Sequence, residues 1–100
     1  MKLEEYTDLC HDIAKSKGFW DGDRSIAECL MLIVTEVAEA CEADRHGDRE
    51  NFNEEIADTF IRLFDLCGYL DIDIESELTR KISINRARPR LHGKRYWNEF

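Results

Sequence analysis

The sequence predicts an all-α protein, a four-helix antiparallel bundle, on three observations. Apolar residues recur at helical spacing in four separate stretches. Gly18, Gly22, Gly47 and the single proline, Pro89, fall between or after those stretches. No segment alternates apolar and polar residues well enough for a strand, and the short LDIDI at 70–74 is better explained as a turn and cap.

In the first stretch, residues 3–16, Leu3, Tyr6, Leu9, Cys10, Ile13 and Ala14 line up at helical spacing and Gly18 supplies a stop. Residues 18–24, GFWDGDR, read as a loop carrying Phe19 and Trp20. Ser25 is an N-cap with Glu28 as its capping-box partner, and the chain then runs without glycine or proline to about Asp44. Residues 45–53 are polar, contain Gly47 and read as a loop; a third helix follows over residues 53–70. Asp73 caps a fourth helix over residues 74–88, which ends before Pro89 because a residue preceding proline avoids the helical region. From about residue 89 the chain reads as an irregular basic tail.

A chain of 100 residues with 43% hydrophobic content fits a single domain with a real core. Its first twenty residues match neither an export signal nor a transit peptide, and its longest apolar run, Cys29 to Val34, is far short of the roughly 18 residues of a membrane span. A soluble, cytoplasmic protein with no membrane partner is expected. Cys10, Cys29, Cys41 and Cys67 are widely spaced, which fits free thiols in a reducing compartment rather than a zinc site. The net charge of -8 argues against a nucleic-acid polymer as partner. The charge is uneven: residues 80–95 hold seven of the fourteen Lys and Arg and no acid.

Glu28, Glu36, Glu39 and Glu42 are the only charged residues between Ala27 and Ala43, and at about 100° per residue they share one face of the second helix. The third helix repeats the device with Glu55 and Asp58, three residues apart. If the two helices are antiparallel neighbours, four carboxylates converge and repel one another, and a cation relieves them. The alternative is that each pair belongs to a solvated acidic face. All-carboxylate ligands suit a hard ion, Mg²⁺ or Mn²⁺, whereas a di-iron bundle requires Glu-x-x-His, and His11, His46 and His92 stand at no such spacing.

The segment TEVAEACEADRHGDRENFNEEIADTFIRLFDL resembles the E-E-x-x-E and E-x-x-D signature of MazG-like, all-alpha nucleoside triphosphate pyrophosphohydrolases. The resemblance extends to GFW at 18–20, to the K-x-x-x-N of Lys81 and Asn85, and to RPRLHGKRY. It implies Mg²⁺ ligation by Glu36, Glu39, Glu55 and Asp58 and cleavage between the α and β phosphates. Thr35 departs from the pattern, standing where the family has the first glutamate of its leading pair. Glu36, Glu39 and Glu55 are the candidates to accept a proton from water. Lys81 and Asn85, with Arg88 and Lys94 as helpers, are candidates to hold phosphates, and Trp20 either stacks on a base or covers the core.

Apolar residues spread around the second and third helices predict completion by oligomerisation, and the family's members are typically homodimers or dimers of dimers. Arg62 shares a helix face with Asp58 and Asp65 and is expected to pair with them. Two other readings stay open: a non-catalytic helical interaction module, and a hydrolase of another pyrophosphate-containing small molecule.

Overall fold

The computed structural model describes residues 1–90, which form four helices and no strand: α1 (Leu3–Ser16), α2 (Ile26–Arg45), α3 (Arg49–Leu70) and α4 (Ile74–Ala87). Each boundary has a local cause. Gly18, at φ 86°, takes the left-handed conformation that ends the turn after α1. Ser25 accepts a hydrogen bond from the Glu28 amide at 3.1 Å and opens α2. Asp73 accepts from both the amide and the hydroxyl of Ser76 and opens α4. That helix stops at Ala87 because Arg88, before Pro89, is extended at ψ 148°.

The start of α3 differs from the sequence expectation by four residues. Asp48 caps it, accepting from the Asn51 amide at 3.1 Å, so Arg49 to Asn53 are helical rather than loop. Four of these five residues are exposed, and a polar, solvated first turn has the composition of a loop. What separates α2 from α3 is therefore a tight turn, His46 to Asp48, with Gly47 at φ 68° and the Asp48 amide bonded to the Ala43 carbonyl. So short a connection sends α3 back along α2.

α3 is the central element, with α2 and α1 packed on it, while α4 packs lightly on α1 and contains no buried residue. Cys29 and Ile33 of α2 meet Leu66 of α3, and Phe19 and Trp20 close over this cluster from the α1–α2 loop. Each buried branched aliphatic contributes about 2 kcal/mol. No large side chain among the described residues is fully buried. No helix among them is long and apolar enough to cross a membrane.

Gly68 sets the approach of α1 to α3. A Cβ there would lie 2.7 Å from His11 Cβ and 2.9 Å from the Thr7 carbonyl oxygen. Alanine favours a helix over glycine by about 1 kcal/mol, but forcing these helices apart costs about 1–3 kcal/mol. Gly68→Ala is therefore expected to lower the urea midpoint of unfolding; a raised midpoint would contradict this close approach.

Candidate metal centre

The turn at Gly47 puts Glu39 and Glu55 equally far from it on facing helices, and Glu36 one turn further along α2. One carboxylate oxygen from each of Glu36, Glu39 and Glu55 lies within 4.8 Å of the other two. Glu36 is buried at 9% relative exposure, Glu55 is half-buried and Glu39 is exposed. The cluster thus has a closed inner side and an open outer one.

The three groups settle their repulsion unequally. Burial opposes ionisation of Glu36, but the hydrogen bond and charge of Arg62 outweigh it and, with hydrogen bonds from Glu55 and Glu39, hold its carboxyl below the ordinary value. Arg62 Nε donates to Glu36 Oε1 at 2.9 Å. Hydrogen bonding to Glu39 and then Glu36 pushes the Glu55 carboxyl up to about 7, and burial and both neighbours' charges add to the effect. Glu55 Oε2 is buried and has no hydrogen-bond donor. A carboxylate oxygen facing other carboxylates is satisfied by a shared proton or by a cation, and three converging oxygen ligands suit a hard divalent ion. The residues present therefore fit a metal.

Asp58 is not within the trio. It is exposed one helical turn from Glu55 and lines a groove of about 610 Å³ between α1 and α3, shared with Glu36 and Arg62 and walled by Tyr6, Leu9, Ile13 and Ile61. Arg62 reaches across to α2 instead of pairing with Asp58 or Asp65, contrary to the expectation from its own helix face.

Asp65 is occupied by a set of contacts that the sequence did not disclose. Only 7% exposed, its Oδ1 accepts a hydrogen bond from Trp20 Nε1 at 2.9 Å and stands 2.9 Å from His11 Nδ1, which donates to it. The Trp20 ring stacks on Tyr69 at 3.9 Å between centroids and 6° between planes. Trp20 therefore closes over the core and ties the α1–α2 loop to α3. The one sequence signal was an acid set in the apolar run LFDLC; nothing there named its donors.

Lys81 and Asn85 are exposed on α4, whose main helix contact is with α1. Arg88 is the exposed C-cap residue of α4, and Lys94 lies outside the described residues. Searches of protein-family models, curated proteins and solved structures found no match to this chain.

The raised carboxyl of Glu55 makes stability depend on pH. Its contribution is complete below the ordinary glutamate value of 4.5 and is lost as pH rises through about 7. Glu36 acts oppositely, stabilising above 4.5 and losing that contribution as pH falls below it. In chelator, the melting temperature should fall between about pH 5 and pH 7.5, and Glu55→Gln should flatten the fall. A fall of equal size in Glu55→Gln would assign the dependence to other groups.

Proposed function

We propose that this chain is a magnesium-dependent nucleoside triphosphate pyrophosphohydrolase of the MazG-like kind, cleaving between the α and β phosphates to give a nucleoside monophosphate and pyrophosphate. The observation that carries the reading is the convergence of Glu36, Glu39 and Glu55 on facing helices around a buried oxygen, Glu55 Oε2, that has no donor. Three of the four signature acids, Glu36, Glu39 and Glu55, are those that converge, and Asp58 stands outside the trio. In this reading Asp58 completes the ligand set from the groove side, and Mn²⁺ can take the place of Mg²⁺.

When bound, the ion supplies an acidified water and offsets the charge of the triphosphate. The chain's own groups hold the ion, exclude bulk water on the Glu36 side and handle a proton. Glu36, Glu39 and Glu55 are the candidates to take a proton from water, and a bound cation would draw the carboxyl of Glu55, raised by its two neighbours, back down. Lys81 and Asn85, with Arg88 and Lys94, are assigned to the phosphates on the resemblance, and Trp20, stacked on Tyr69 and bonded to Asp65, covers the core instead of a base.

The reading includes a homodimer or dimer of dimers in the cytoplasm, where the free cysteines stay reduced. Leu30, Val34 and Val37 of α2 and Ile56, Phe60 and Leu63 of α3 are all exposed, Val37 by 53% and Phe60 by 54%. Measured from the α2–α3 contact, both sets are rotated by about 100–160°, which in an antiparallel pair carries them to one common side. α1 takes the opposite side, through Asp65 and Gly68. A second copy placed on the open side would complete a four-helix layer from two helix pairs.

With Mg²⁺, the purified protein is expected to release pyrophosphate from at least one nucleoside triphosphate, and chelator should stop it. Orthophosphate as first product, or no metal-dependent nucleotide binding, would sink the reading. Glu39→Gln and Asp58→Asn should each abolish turnover with the helical signal intact; full activity in either removes that residue from the site. For the assembly, Phe60→Asp should shift the sedimentation of the protein from oligomer to monomer, and wild-type protein that sediments as a monomer would discard the partner copy.

A further inference from the structure

Arg62 is the only Lys or Arg between Phe52 and Leu70 of α3, and α2 has none from Ile26 to Asp44. It is thus the only fixed positive charge that these two stretches of helix bring to the three glutamates. Its side chain is 34% exposed and lines the groove beside Glu36 and Asp58. It bonds Glu36 through Nε alone. The two terminal nitrogens have no hydrogen-bond partner among the described residues, so four N–H donors of a planar fork stay unused beside the cluster.

A triphosphate approaching this cluster meets Glu36, Glu39 and Glu55 with Asp58 beside them, and one divalent ion does not offset that much negative charge. Phosphate oxygens are bound best by guanidinium groups that present two parallel donors. Arg45 and Arg49, beside the Gly47 turn, pair with Glu42 and Asp44, and between residues 26–44 and 52–70 the two helices offer such donors only at Arg62. We infer that Arg62 is a substrate-binding residue, held by Glu36 through Nε so that its terminal nitrogens grip the polyphosphate. The inference rests on the pyrophosphohydrolase reading and adds to it a phosphate contact from inside the helix pair, separate from those assigned to α4. A lysine would keep the charge and the pairing with Glu36 but lose the fork.

The test is calorimetric titration with a non-hydrolysable α,β-methylene nucleoside triphosphate at saturating Mg²⁺, alongside the matching monophosphate and Mg²⁺ alone. Arg62→Gln should weaken the triphosphate analogue by about tenfold to a hundredfold with Mg²⁺ kept saturating for the variant, whose own Mg²⁺ affinity the Mg²⁺-only titration supplies. The monophosphate should bind within about threefold of wild type, because the guanidinium grips the phosphates beyond the first. If Arg62→Gln does not fold, Arg62→Lys carries the test, with an expected loss of about tenfold for the analogue. Analogue binding unchanged in the folded variant, while wild type binds, overturns this inference alone and leaves Arg62 a structural partner of Glu36. Wild-type protein that binds no analogue overturns both the inference and the reading beneath it.

Discussion

Crowding of like charge at the α2–α3 contact is the constraint on which the rest of this structure depends. Two helices joined by the three-residue turn at Gly47 have to face each other, and their facing surfaces carry Glu36, Glu39 and Glu55. Such a contact is unfavourable unless each carboxyl is neutralised, bonded or left in water. All three outcomes occur within 4.8 Å: Arg62 takes Glu36, solvent reaches Glu39, and Glu55 retains its proton to about pH 7. The local electrostatics is thus a compromise among three groups, and a divalent cation is the one species that would relieve all three together.

The neighbouring carboxylate on the same helix shows what a settled buried acid looks like. Asp65 is as buried as Glu36, yet its oxygen receives donors from Trp20 and His11, which come from different parts of the chain. Those bonds tie the α1–α2 loop and α1 to α3, and the stacking of Trp20 on Tyr69 completes the closure. Asp65 is therefore an organising residue, with its bonding satisfied inside the fold. Glu55, ten positions earlier, has no such donor. The difference between the two acids is the physical reason to look for a ligand at one and not at the other.

Much of this was readable from residue order. Helical spacing and caps gave α1, α2 and α4 nearly to the residue, because Ser25, Asp73 and Pro89 act through contacts within one or two turns. The first turn of α3 was hidden by its polarity, since Asp48 and Arg49 to Asn53 have the composition of a loop while their amides are capped. Within the trio, the i, i+3 spacing disclosed that Glu36 and Glu39 are neighbours, and the tight turn explains why Glu55 joins them. The partners of Arg62, Trp20 and Asp65 were not readable, because each lies 26 or more positions away and depends on how α1, α2 and α3 are set against each other.

The placement of positive charge follows from the same constraint. A lysine in α2 at the level of the glutamates would reach Glu55 Oε2 and satisfy it permanently, leaving the cluster as an ordinary ion-pair network with no demand for a cation. The chain avoids this by carrying no Lys or Arg between Ile26 and Asp44 and by gathering half of its basic residues from Arg80 onward. Arg62 is the exception, and its geometry limits what it can satisfy. Bonded through Nε to one oxygen of Glu36, it balances a single charge and leaves Glu55 Oε2 without a donor. An arginine in that position steadies Glu36 while leaving the buried Glu55 Oε2 without a donor, a deficit that a cation would fill.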